Sequence, residues 1–183
     1  MTIPTSSPWG TVQYGQELAD GIVTVSTAGH GGIRISDERL KQMPRALRLE
    51  RKRWFEEDCE AGLVYWAFAR DIGLTAEQVT MAEESVRNWY PEKWEAHTGQ
   101  TLAPGQSLVR DEQVFAQQTA DKFVVSSAWG DWHADVPAGY VGVLAKRRAD
   151  GTERHFLVAA DRYRYARTYV VDEDIDTEWR TTV

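Results

Sequence analysis

Residues 128–137 read AWGDWHADVP: two tryptophans, two aspartates and a histidine in ten positions, directly after an apolar run. Two roles fit that mixture. An indole buries a large rigid area with little loss of rotamer freedom, so exposed tryptophans suit binding hot spots. Carboxylates beside them accept hydrogen bonds from a partner's arginine or lysine. On that reading Trp129, Asp131, Trp132, His133 and Asp135 form an aromatic, acidic patch that faces another macromolecule. The other reading is a plain connection between strands, with Gly130 and Pro137 as turn residues and the indoles packed on the core edge.

A second cluster, STAGHGG at 26–32, surrounds His30 with three glycines. Glycines let the backbone take positive φ or come close to a neighbour, and consecutive N–H groups can hold an anion. The G-x-x-x-x-G-K-[ST] spacing of a phosphate loop is absent. His30 is then either bonded locally in a tight turn or free to act as acid, base or partner contact. His30, His133 and Asp131 are the candidate catalytic set of a small hydrolase or metal-dependent enzyme, because two imidazoles and a carboxylate can hold a divalent ion. Asp135 and Cys59 are further conceivable ligands. Against this, H-A-D lacks the i, i+4 geometry of H-E-x-x-H, and no G-x-S-x-G elbow occurs. No cofactor and no metal is expected, and a binding protein is favoured over an enzyme.

The third cluster is WFEEDCE at 54–60. Its acids either sit near a helix start, where the macrodipole favours them, or present Glu56 and Glu57, with the acidic tail, to a basic partner. Its acidic neighbours make Cys59 a poor candidate nucleophile. As the only cysteine, Cys59 excludes an intrachain disulfide and any multi-cysteine zinc or iron–sulfur site.

The elements that must position these clusters follow from period and punctuation. Trp9–Gln16 and Gly21–Thr27 read as strands joined by an A-D-G turn, and 33–35 as a short third strand. Ser36 caps a short helix that stops before Pro44. Phe55, Cys59, Leu63 and Trp66 fall on one apolar stripe and predict a helix over about 52–70. Thr75 with Gln78 makes a capping box for a helix over 76–90, and Pro91 opens a further helical stretch. Residues 99–120 show no clean period and read as loop with one helical turn. Strands follow at 122–129, 139–147 and 154–160, the last two joined through RADGT. Residues 161–167 fit helix or strand equally.

Strands, helices, strands in that order predict an α+β fold: an antiparallel sheet of about five strands, drawn from both chain ends and packed on the central helical segment. The 183 residues suit one domain over 9–168 between a flexible N-terminus (1–8) and an acidic, loose or surface-lying C-terminal tail (169–183). The formal charge is −7, and residues 172–183 carry a net −4 of it. The remaining body is only mildly acidic, so non-specific nucleic-acid binding is not expected. The N-terminus has neither a basic segment nor an apolar h-region, and no stretch approaches eighteen apolar residues. A cytoplasmic protein with no membrane association is expected.

The segments SPWGTVQYGQELADGIVTVSTAGHGGIRIS, WFEEDCE, SAWGDWHADVPAGYVGVLAKR and HFLVAADRY together resemble an uncharacterised domain family of bacterial plasmids, integrative elements and phages, whose members often lie near antirestriction genes. The resemblance spans roughly residues 8–165 and carries its W-G, V-S-T-x-x-H-G-G, W-F-E-E-D-C and W-G-D-W elements in order. No reaction is established for the family. Its mobile-element setting implies a counter-defence protein in a bacterial host cell, such as an anti-CRISPR or antirestriction inhibitor. The partner would be a CRISPR or restriction effector, met through Trp129, Asp131, Trp132, His133, Asp135, Glu56 and Glu57.

Overall fold

The computed structural model describes residues 2–163 and 169–179. Its helices and antiparallel sheets make an α+β protein, the class the order of elements predicts. The chain divides into two compact units, Met1–Asp111 and Glu112–Val183, and each carries its own four-stranded sheet. This corrects the expectation of one sheet built from both chain ends. Strands joined by tight turns pair with their chain neighbours first, and each group buries enough apolar surface to complete a core of its own.

In the first unit β1 (Ser6–Ser7) and β2 (Gly10–Thr11) form a short pair, and Ile3 lies over Gly15. The stretch 2–8, expected to be loose, is thus tied to the sheet. That sheet runs β3 (Tyr14–Ala19), β4 (Ile22–Ser26), β5 (Gly31–Ile35) and β6 (Trp54–Glu56), antiparallel and in that order. Asp20–Gly21 makes the predicted first turn, with Gly21 at φ 76°, a conformation that is costly for a residue bearing a Cβ.

The pairings Ile22↔Ile35 and Ile33↔Phe55 put four large apolar side chains on one face, and all four are buried. Helices supply the other half of this core. α1 (Asp37–Gln42) is capped as predicted, with the Ser36 hydroxyl accepting from the Arg39 N–H at 3.2 Å. A single 3₁₀ turn, Arg45–Leu47, buries Leu47. α2 (Ala61–Ala67), α3 (Ala69–Ile72), α4 (Ala76–Trp89) and α5 (Pro91–Thr98) follow. The reciprocal Thr75–Gln78 capping box opens α4, and Pro91 is the first residue of α5. Leu63 and Val64 of α2, Val86 of α4 and Trp94 of α5 close over the isoleucines.

Two expectations fail here. The predicted helix over 52–70 begins only at Ala61, because 54–56 pair with β5 and a turn fills 57–60. An exposed strand edge offers Trp54–Glu56 more hydrogen bonds than a helix start would. Cys59 therefore lies half-buried in that turn rather than on a helical core stripe. The supposed loop at 99–120 contains an eleven-residue helix, α6 (Leu108–Gln118), within which the unit boundary falls. None of its residues is fully buried. Its start is held instead by the buried Ser107, whose hydroxyl accepts from Arg110 N and donates to the Asn88 carbonyl.

The opposite sheet face carries Gly32, Arg34 and Trp54. Trp9 covers Gly32 and meets Trp54 edge-on at 5.7 Å, while Arg34 stacks on Trp54. A Cβ at Gly32 would run into the Phe55 carbonyl and the Trp9 ring. The carbonyl is fixed by the sheet, so we expect Gly32→Ala to cost about 2–3 kcal/mol. A thermal melt lowered by roughly 5–10 °C is the corresponding reading, and a shift under about 2 °C would contradict it.

In the second unit β7 (Phe123–Trp129), β8 (Tyr140–Arg147) and β9 (Glu153–Ala159) occupy the predicted positions. Gly151 (φ 73°) turns the chain between the last two, and the Asp150 carboxylate ties that turn by accepting from Arg147 and from the Thr152 N–H. Phe123 and Phe156 meet at 5.3 Å in a core with Val143, Ala145 and Val158.

The tail was expected to be loose or to lie on the surface. Its described part is structured on both edges of this sheet. Val170 bridges Val124 beyond β7, Val171 is buried, and β10 (Thr177–Glu178) pairs with β9. The ambiguous segment 161–167 lies outside the described residues from 164 onward, as do 180–183 of the tail. No helix among the described residues is long and apolar enough to cross a membrane.

Candidate functional site

The loop 130–139 between β7 and β8 is built by successive tight turns. His133 N donates to the Gly130 carbonyl at 3.1 Å, Val136 N to His133 at 2.9 Å, and Tyr140 N to Pro137 at 3.1 Å. Val136 is buried and pins the middle of the loop. Asp135 N–H donates to His133 Nδ1 at 3.3 Å, so a neutral His133 carries its proton on Nε2.

Five aromatic rings cluster at this loop. Trp129 stacks on His155 of β9 with centroids 6.0 Å apart, and Trp179 meets His155 edge-on at 5.9 Å. His133 lies 6.4 Å from both Trp129 and Trp179. Trp132 meets the outer side of His133 at 6.0 Å. His155 and Trp179 escaped the sequence reading. Trp179 was hidden in a tail expected to be loose, and His155 was hidden inside an ordinary strand. Pairing of β8 with β9 and of β9 with β10 brings both under the loop.

The result is graded burial. Trp129, His133, His155 and Trp179 are half-buried, whereas Trp132 is 76% exposed. Asp131 and Asp135 on either side of it are exposed as well. The Trp132 indole folds back over Gly130, where a Cβ would meet its Cδ1 at 2.9 Å. Gly142 of β8 plays the same part beneath Trp179 and Val136, each 2.8 Å from a would-be Cβ. We expect Gly142→Ala to displace Trp179 and loosen the loop, costing about 1–3 kcal/mol. Near-ultraviolet circular dichroism should lose tryptophan signal, and an unchanged spectrum would show that the ring is not seated there.

His30, Glu56 and Glu57 belong to the other unit and come together at one end of its sheet. Thr27 N and Oγ1 both donate to the His30 carbonyl at 2.8 Å, closing the β4–β5 turn. None of Gly29, Gly31 and Gly32 has the positive φ expected of a glycine-rich corner. Gly31 and Gly32 serve close approach instead: a Cβ on Gly31 would collide with the Glu57 carboxylate. The pair Gly32↔Glu56 places the end of β6 beside the turn. His30 Nδ1 then lies 3.9 Å from Glu56 Oε1, and one ligand atom from each of His30, Glu56 and Glu57 falls within 4.8 Å of the others.

Of the two other acids of this segment, Asp58 is exposed and Glu60 is occupied. Glu60 accepts from Lys52 and from the Glu56 N–H. Cys59 faces Tyr90, Sγ to hydroxyl 3.8 Å. Burial first, and then the cysteine, raise the Tyr90 phenol above its ordinary value, so Tyr90 stays neutral beside the thiol.

The candidate catalytic set is thus divided: His30 is in the first unit, and Asp131 and His133 are in the second. Its members gain other neighbours, His30 two glutamates and His133 three indoles. The chain's residues 2–120 match the model of a family described as a domain of unknown function (DUF7007). The match takes in the W-G, H-G-G and W-F-E-E-D-C elements and ends before the W-G-D-W loop. No curated protein and no solved structure matches the chain.

Proposed function

The chain belongs to this DUF7007 family, and we propose that it works by binding: it is a counter-defence inhibitor of a bacterial host, encoded on a mobile element, that docks on a CRISPR or restriction effector through the 129–135 loop. The observation that carries this reading is Trp132, a large apolar ring 76% exposed on a loop held by four half-buried aromatic neighbours. An exposed indole offers a partner a large, rigid apolar area to bury. A buttressed backbone lowers the ordering cost of being covered.

Asp131 and Asp135 give the patch its sign. With the acidic charge of the whole chain, −7 at neutral pH, they suit a basic partner surface such as the nucleic-acid channel of an effector. A body this mildly charged favours a local contact over wholesale imitation of nucleic acid.

Expression of the chain in bacteria carrying a defined CRISPR or restriction system tests the proposal. Plating of a targeted phage should rise by orders of magnitude over an empty vector, and only in cells whose defence is active. Equal plating with and without the protein, across several defence systems, would overturn it.

A further inference from the structure

We infer that His30, Glu56 and Glu57 form a binding site for a divalent transition-type cation such as Mn²⁺ or Zn²⁺. Three observations carry it. The ligand atoms lie within 4.8 Å of one another, while ligands around a bound ion at about 2.1 Å lie roughly 3–3.5 Å apart. Closing that gap needs only small side-chain rotations, which the exposed His30 and Glu57 are free to make.

The second observation is the state of Glu56. Its Oε2 accepts from the Asp58 N–H at 3.0 Å, but its Oε1, the oxygen nearest His30, is sealed from solvent and has no hydrogen-bond donor among the described residues, although the side chain as a whole is 24% exposed. A carboxylate oxygen taken out of water without a donor is costly, and a bound cation removes that cost. The third is Gly31. Its missing Cβ is the space the Glu57 carboxylate occupies beside the turn, so the second carboxylate reaches His30 only because this position is glycine.

One imidazole nitrogen with two carboxylates suits Mn²⁺, Fe²⁺ or Zn²⁺ better than Ca²⁺ or Mg²⁺, which favour all-oxygen shells. Three protein ligands leave coordination positions open to water or to another molecule. The site lies in the first unit, within the family-matched residues 2–120. Glu57 also lines a groove of about 400 Å³ with Leu18, Tyr65, Leu74 and Met81, so a ligand in that groove could reach the same carboxylate.

Titration of the full-length protein with Mn²⁺, followed by amide NMR, tests the assignment. Paramagnetic broadening should begin at residues 29–32 and 55–58 at substoichiometric ion and be lost in His30→Ala and Glu57→Gln. Zn²⁺ calorimetry should give one site that weakens at least tenfold in both variants. His30 is exposed at 60% of its side chain, so His30→Ala should keep the rest of the spectrum in place. If the wild type shows no localised broadening, or shows the same broadening in both variants, the three residues are an ion pair and the inference fails.

Discussion

On the proposed docking, Trp132→Ala is expected to abolish tight binding of the defence complex while leaving the fold untouched. The indole is 76% exposed and makes its one ring contact with His133, so its removal should move the melting temperature by less than about 1 °C. Its contribution to an interface is another matter. A central tryptophan truncated to alanine costs about 2–4 kcal/mol, a loss of roughly 30- to 1000-fold in affinity. Asp131→Arg should act in the same direction by putting a like charge against a basic partner. Biolayer interferometry against the effector that wild type captures gives the ratio. Affinity within twofold of wild type in both variants would remove the loop from the interface.

The second large effect is expected at Asp176. Its side chain is fully buried, with Oδ1 2.8 Å from an Arg162 Nη and Oδ2 accepting from the Asp172 N–H at 2.9 Å. Tyr169 OH donates to the same oxygen at 3.5 Å. The carboxylate holds the chain as it passes from the β7 edge at Val170 to the β9 edge at Thr177. Asp176→Ala removes all these acceptors at once.

Arg162 keeps 34% of its side chain exposed and Asp172 within 4.0 Å, so the stranded charge is partly rescued by solvent. The expected cost is about 2–4 kcal/mol, below that of a fully enclosed pair. Thermal unfolding should fall by roughly 6–12 °C. Because Trp179 follows β10 directly and its N–H donates to the His155 carbonyl at 2.8 Å, the aromatic support of the binding loop should loosen with the tail. Asp176→Asn, which keeps the acceptor to Asp172 but not the charge, should lie between. Melting within about 2 °C of wild type would show that the tail is not anchored there.

These two residues also divide what could be read early from what could not. Trp132 and its acids were legible as a cluster, since residue type and loop position suffice to nominate a binding patch. Asp176 was invisible as an anchor, because among the five acids of 172–183 nothing local distinguishes the one that becomes buried. The same holds for His30. The glycine-flanked turn was legible, but its glutamate neighbours were assigned to a helix start. Phe55, Cys59, Leu63 and Trp66 satisfy a helical period, and only the edge of β5 outcompetes it.

From the amino-acid order alone came everything that short-range physics controls: the A-D-G and R-A-D-G-T hairpin turns, the Ser36 and Thr75–Gln78 caps, Pro91 at a helix start, the β-branched strands and the α+β class. Those features depend on dihedral preferences and hydrogen bonds within four or five residues. Tertiary structure alone decided that the strands close into two sheets rather than one, that 54–56 extend instead of coiling, that α6 forms with no buried residue, and that the acidic tail packs along a sheet. Each of those outcomes turns on a partner tens of residues away, an open strand edge or a buried charge, whose energy exceeds the local preference it overrides.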